Sequence, residues 1–450
     1  MYAVIQPDRD ALIDAGYASV AHVPFLLAFN GYYPAEANRY LRARALCEWT
    51  LRMGNDSPPS KSRRRFLTAQ SCLAMAKRLA CFLRWCESTE RDWRTVTYRE
   101  DLLAWQTGLF KGTASESGKP LTEATTNNLV AEACYFLTWA AEVPREDLSG
   151  DHLREGFEVP TNPLSFKVGK GKGAKTHHKD VDARVGALVP RPSKLHLPSP
   201  REVGPWMRAM RVRSHVKAMM SELILETGIR ISECNQWRVD TLPPPDKWKV
   251  RAGKVVVEIK HGNKGRKITP DSTEAVKPRD VLVPLNLAER IDHYREITRP
   301  NQLRLWIKSG KTKEERDSRS RAPKPLRLWL SETTHQPFAN VQLYRAWTQA
   351  AHCPDGWHPH AGREYFAVEM VVEWVRNDLE CSHSNRLPDL TWLQGAMRDQ
   401  VRLILTPLLG HVDEETTMKY LRAAHVRLVE EFGHPALRWQ QFCDADDCEE

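Results

Sequence analysis

The sequence predicts a mainly α-helical protein with one small β-hairpin, divided into two domains by a basic linker. Three observations carry that prediction. Apolar residues recur at helical spacing in long runs on both sides of the middle of the chain. Between Pro144 and Pro200 that periodicity fades into Pro, Gly, Lys and His. Only Val255-Val256-Val257-Glu258-Ile259 and Val281-Leu282-Val283 read as strands, short β-branched runs on either side of a long basic loop. With 450 residues the chain has room for two or three domains, each with a core of its own.

The elements follow in order. Residues 1–57 form an N-terminal helical extension with a helix from Pro34 to Arg52, and Ser57-Pro58-Pro59-Ser60 breaks the chain. Residues 58–150 form a helical domain. Its helices run from about Ser62 to Glu87, from Tyr98 to Phe110, and from Thr122 to a stop near Pro144. Residues 151–196 are the basic linker, expected to order only on a partner. A second domain, 197–435, opens at Ser199-Pro200; Val216, Met219, Met220, Leu223 and Ile224 give a helical face that Gly228 ends. After the hairpin come helices around Leu287–Thr298, Phe338–Ala351, Arg363–Asp378, Leu390–Leu405 and Glu414–Phe432, then an acidic tail, 436–450. In the last helix Met418, Leu421, His425, Leu428 and Phe432 make the expected buried stripe, and Tyr420 falls off it by more than a quarter turn.

Composition narrows the partners. The chain is 41% hydrophobic with a mean hydropathy of -0.53, and it has no run of eighteen apolar residues and no charged-then-apolar leader. Neither a membrane span nor a cleaved secretion signal is expected. Ten cysteines with no C-x2-C pair do not resemble a disulfide framework; Cys72, Cys81 and Cys134 read as buried thiols of a reducing, cytoplasmic compartment. The net charge of +9 and pI near 9.0 point to a polyanion. Two clusters favour nucleic acid: Lys61, Arg63, Arg64 and Arg65 at a helix start, and Lys170, Lys172 and Lys175 in the glycine-rich linker, although a solvated basic face would look the same. His352, Cys353, His358, His360, Cys381 and His383 offer metal-ligand atoms, but no pair has the C-x2-C or H-E-x-x-H spacing, so no metal is expected.

The residues that carry chemistry come later in the chain. Thr227-Gly228-Ile229-Arg230-Ile231-Ser232-Glu233 places an arginine between a helix stop and the next helix start. His360-Ala361-Gly362-Arg363 places a second arginine at another helix start, with a histidine three residues before it. Helix N-termini gather N–H donors, and an arginine fork binds two phosphate oxygens with a charge that cannot be titrated away. Two such forks would stabilise the charge that builds on a phosphodiester attacked at phosphorus.

These segments resemble the motifs of the tyrosine recombinases, the phage-integrase family. Thr227–Glu233 is similar to the first-arginine box, His360–Arg363 to the H-x-x-R box, and Leu409-Gly410-His411 with Tyr420 nine residues on to the terminal box. The family keeps a lysine-bearing β-hairpin between the first two boxes, and Glu258-Ile259-Lys260-His261-Gly262-Asn263-Lys264-Gly265-Arg266 stands in that place. The resemblance spans residues 197–435 and implies a tyrosine-recombinase catalytic domain, with the earlier helical block as a SAM-like core-binding domain and the two forming a DNA clamp.

The resemblance also implies roles. Tyr420 would be the nucleophile, leaving a 3′-phosphotyrosine and a free 5′-hydroxyl, with His360 accepting its proton. Arg230 and Arg363 would clamp the phosphate, His411 would donate to a non-bridging oxygen, and Lys260 would protonate the departing 5′-oxygen. Lys264 and Arg266 would add DNA contacts; a one-residue shift would put His261 in the lysine's place, and Lys264 is a further alternative. Neither ATP nor a metal is implied. The implied partners are double-stranded DNA, further copies of the chain in a tetramer on two sites with Leu428 to Phe442 packing on a neighbour, and accessory proteins. The implied function is site-specific DNA recombination. A type IB topoisomerase-like relaxing enzyme and a non-catalytic DNA-binding module are the alternatives. Departures from the pattern are Gly362, Glu364 where the family often has His, and 48 residues between Arg363 and His411, about twice the usual interval.

Overall fold

The computed structural model describes residues 2–49, 67–143, 153–160, 184–189, 195, 197–262, 274–381, 395, 397–410 and 414–432. It is mainly helical with two small antiparallel sheets. The chain divides into two compact units, the described residues up to 189 and those from 195 onward. Among the described residues, no helix is long and apolar enough to cross a membrane.

The first unit begins with strand where only helix was expected. β1 (Tyr2–Ile5) pairs antiparallel with β2 (Phe25–Ala28) around α1 (Arg9–Asp14), and Asn38 seals the sheet edge by accepting from Leu26 N and donating to Leu26 O. The strand residues are apolar, so pairing hides their backbone as well as their side chains. The helices α2 (Ala35–Ala45), α3 (Ala69–Ser88), α4 (Leu103–Lys111) and α5 (Glu123–Glu142) enclose an aromatic core of Tyr40, Phe82, Trp105, Phe136 and Trp139. α3 starts seven residues later than the periodicity suggested, because the Thr68 hydroxyl accepts from Ser71 N and caps it there. Lys61, Arg63, Arg64 and Arg65 lie outside the described residues, as do Lys170, Lys172 and Lys175.

Parts of the expected linker are packed rather than waiting for a partner. Leu153, Phe157 and Val159 pack against the aromatic core, and Arg154 donates to Val96 O. Further on, Tyr98, Gln106 and Asn127 donate to the carbonyls of Val185, Gly186 and Leu188. The few apolar residues in this polar stretch have a surface to cover, and side-chain amides satisfy its backbone.

In the second unit, α6 (Pro200–Arg213) and α7 (His215–Thr227) lead through Gly228 into the short α8 (Ile231–Asn235). β3 (Val250–Arg251), β4 (Lys254–His261) and β5 (Glu274–Pro284) form a meander. The β4–β5 ladder continues past a register shift to His261↔Glu274, so the strands run beyond the points where the hairpin loop was expected to begin and end. α9 (Leu285–His293), α10 (Arg299–Lys308), α11 (Lys313–Arg321) and α12 (Asn340–Thr348) follow. α11 was not anticipated, since KEERDSRSR has no apolar stripe; it rests on its Thr312 cap and an Arg319–Glu315 ion pair. α13 (Pro359–Cys381) comes next, a helical stretch from Arg398 to Leu405 runs directly into α14 (Thr406–Leu409), and α15 (Glu414–Phe432) is the last described element. α13 and α15 share an apolar core of Phe366, Val371, Val375, Leu405, Leu421 and Leu428.

Candidate active site

Arg230 holds the place the sequence suggested, between the left-handed Gly228 that ends α7 and the first residue of α8. Its backbone N–H donates to Glu233 Oε2 at 2.6 Å and its Nη1 to Glu233 Oε1 at 3.0 Å, while Nη2 lies 3.5 Å from Gly410 O. Glu233 is fully buried and so fixes the arginine's stem while leaving part of its head to point elsewhere.

Arg363 differs from its expected setting. α13 begins at Pro359, so His360 is inside the first turn and Arg363 lies a turn deeper, away from the free N–H groups of the helix start. Its guanidinium, 1% exposed, donates instead to Gly228 O and Leu409 O. Arg363 Nε is buried with no hydrogen-bond partner among the described residues. Burial, then the neighbouring Arg230 and Arg279, lower its pKa to about 9, with Glu233 and Tyr420 opposing. Gly362 is required beside it: a Cβ there would stand 2.6 Å from the Trp347 ring, which fills the space a larger residue would take.

The two guanidinium groups thus reach the adjacent carbonyls of Leu409 and Gly410. Arg279, on β5, completes the cluster. Its Nη1 and Nη2 grip the two oxygens of Glu233 at 2.9 and 2.8 Å, and its Nε donates to Leu408 O at 2.8 Å. Two arginines therefore grip one buried carboxylate with Arg363 within its electrostatic reach, an excess of positive charge that favours an anion. Reading the boxes did not single out Arg279. The signal was present in the strand alternation: Arg279 is in phase with the buried Val281 and Val283 and opposite the buried Ile259. A charge on the apolar face of a strand needs a partner waiting inside.

Tyr420 was expected off the buried stripe but is 1% exposed, in a face with Leu421, Ala424 and Leu428. α15 is turned so that this residue meets α13, whose Glu364 ion-pairs with Lys419 next to it. Burial, then the Glu364 carboxylate, push the phenol well above its ordinary range, while Arg363 and Arg230 pull it down. The Lys419 ammonium stands 5.0 Å from the Tyr420 ring centroid. Glu364 also lies 3.8 Å from His360 Nε2. The His360 ring is mostly exposed, and its pKa is held below the usual value first by partial desolvation, then by Lys419, Arg363 and His358, with Glu364 opposing.

Lys260 does not join the cluster through any described contact. It lies on the exposed face of β4 and pairs with Glu258 at 3.1 Å, beside a cleft of about 420 Å³ that His261, Lys249 and Asp280 also line. The end of its strand does reach the site, since Ser232 Oγ donates to Gly262 O at 2.9 Å. His411, Lys264 and Arg266 lie outside the described residues. Among the described residues no group of His, Cys, Asp and Glu is placed to hold a metal ion. Cys353 instead turns its thiol toward the Pro354 and Trp357 carbonyls.

Solved structures similar to this chain are DNA recombinases and integrases. One is the XerH site-specific recombinase bound to a palindromic difH substrate, with a TM-score of 0.47, 13% identity, 90% of this chain covered and 95% of that one. A second is the Tn1549 transposon integrase in complex with transposon right end DNA, with a TM-score of 0.44, 13% identity and coverage of 88% and 98%. A third is a lambda integrase dimer bound to a COC′ core site, with a TM-score of 0.43, 12% identity and coverage of 86% and 94%. No family model matches the chain, and no curated protein matches it. At these identities and scores, a role for any residue has to rest on its own geometry.

Proposed function

We propose that the chain is a site-specific DNA recombinase that cuts and rejoins DNA through Tyr420. One observation carries this reading: Arg230 and Arg363 converge on adjacent carbonyls beside a buried tyrosine, and Arg363 keeps a buried N–H with no partner among the described residues. An unpaired buried donor costs about 1–3 kcal/mol, and a phosphate oxygen would satisfy it. The Leu409 and Gly410 carbonyls mark where guanidinium donors already meet negative oxygen in this fold.

In the proposed reaction the Tyr420 proton passes to His360 as the phenol oxygen attacks phosphorus. The bond from phosphorus to the 5′-oxygen breaks, and Lys260 (or Lys264) supplies the proton that this oxygen takes. Arg230, Arg363 and His411 stabilise the charge on the non-bridging oxygens. A 3′-phosphotyrosine and a free 5′-hydroxyl result, and attack by another strand's 5′-hydroxyl reverses the steps. Tyr420 begins buried with a raised pKa, which suits a nucleophile kept silent until a phosphate enters between it and the arginines. Double-stranded DNA is the partner. The working assembly is a tetramer on two sites, and the basic segments 61–65 and 170–175 contribute phosphate contacts that weaken with salt.

Covalent capture tests this whatever the target sequence is. The protein is incubated with a pool of nicked duplexes of randomised sequence, and adducts that resist denaturant are recovered. Wild type gives adducts and Tyr420→Phe gives none; the recovered site, placed twice on one DNA, then yields rearranged product rather than relaxation alone. DNA retained by wild type with no adduct at all would establish the non-catalytic binding module instead.

A further inference from the structure

We propose that Arg279 is a positioning residue of the phosphate site, setting where Arg230 and the Leu408–Gly410 turn stand; this rests on the function proposed above. Its guanidinium spends three directed N–H groups on two partners that each hold another part of the site. Toward Glu233 it forms a two-pronged pair at 2.9 and 2.8 Å, and the same carboxylate holds both the backbone N–H and Nη1 of Arg230. Toward Leu408 it donates through Nε at 2.8 Å, and the next two carbonyls in the chain accept from Arg363 and Arg230. Three consecutive carbonyls at the end of α14 thus receive three different arginines, where an α-helix presents unpaired acceptors and its negative pole.

The turn is shaped to this side chain. Gly410 has φ +60°, and a Cβ built there would lie 3.0 Å from Arg279 Cδ and 3.2 Å from its Nε. Any other residue would be strained in the backbone and would push the guanidinium away from Leu408. Arg279 is itself only 11% exposed and turns its Nε, Nη1 and Nη2 to Leu408 and Glu233, so it acts through Arg230 and the turn rather than on the phosphate. A lysine could supply the charge that Glu233 requires but not three fixed donors in one plane.

Arg279→Lys is therefore the informative variant, since it keeps the buried carboxylate neutralised. On the duplex recovered by covalent capture it should form adduct at least about tenfold more slowly at saturating DNA. Its DNA dissociation constant should stay at the wild-type value, its melting temperature should fall only as far as the lost donor to Leu408 O requires, and the Gly410 amide, bonded to Pro407 O, should exchange faster. The paired neutral variant Arg279→Met/Glu233→Gln, which removes both charges together, should show the same loss of rate. A wild-type cleavage rate in Arg279→Lys would overturn the proposal, as would a loss of rate matched by equal losses of DNA affinity or melting temperature. If wild type itself forms no adduct, the proposed function fails and this role with it.

Discussion

The arginines of the second unit and the side chains proposed to move protons stand in opposite environments. Arg363 is buried and Arg279 nearly so, the first held by the Gly228 and Leu409 carbonyls and the second by Glu233 and the Leu408 carbonyl. Lys260 and His360 lie mostly in water, Lys260 on the outer face of a strand and His360 on the first turn of α13. The difference follows from their chemistry. A guanidinium keeps its charge near neutral pH even where burial lowers its pKa, as at Arg363, so it can be built into the fold wherever its charge and planar donors are satisfied. An ammonium or imidazole that must gain and lose a proton would lose its useful pKa if it were buried the same way. The arginines are fixed in the fold, and the side chains proposed as acid and base are exposed to water.

The largest effect should come from the buried side. Arg363→Ala removes a charged donor from the transition state and should slow adduct formation about a thousandfold. It also leaves the Gly228 and Leu409 carbonyls without their donor, so thermal unfolding should show a loss of about 1–3 kcal/mol for each. The exposed side should behave differently. Lys260→Ala should slow cleavage about a hundredfold while changing stability by less than about 0.5 kcal/mol. Its rate should recover on DNA whose scissile 5′-oxygen is replaced by sulfur, because a thiolate leaves without a proton. No recovery would remove Lys260 from the acid's role and turn attention to Lys264.

The smallest effect sharpens the boundary between the two environments. Glu364 opposes ionisation of Tyr420 and favours the charged form of His360, so it raises both pKa values. Glu364→Gln should therefore move the whole pH profile of adduct formation to lower pH. The base stays free at more acid pH and the phenol ionises sooner, a change of up to about tenfold in rate at fixed pH on the alkaline side. An unmoved profile would mean that the carboxylate only ties α15 to α13 through Lys419.

The sequence showed the helices where apolar periodicity was strong, and the strands where β-branched residues ran together. It also placed Arg230 between a helix stop and the next helix start, whereas Arg363 was read at a helix start and lies a turn deeper in α13. It was silent where the deciding partner is distant. Strands β1 and β2 depend on pairing across a 19-residue gap, and the packed pieces of the linker depend on carbonyl-binding amides far upstream. The face of α15 was misjudged because Leu421 and Leu428 fit two stripes, and contact with α13 chose the one containing Tyr420. Arg279 belongs to no motif read from the sequence, and only its phase with Val281 and Val283 marked it.

The central claim is that the phenol beside this arginine cluster becomes bonded to DNA. Digesting the captured adduct with trypsin and nuclease, then sequencing the modified peptide by mass spectrometry, tests it most directly. The account predicts a nucleotide joined through its 3′-phosphate to Tyr420, in the peptide Tyr420-Leu421-Arg422. A nucleotide found on any other residue, Tyr365 for example, or a DNA-bound protein that never yields a modified peptide, would contradict it.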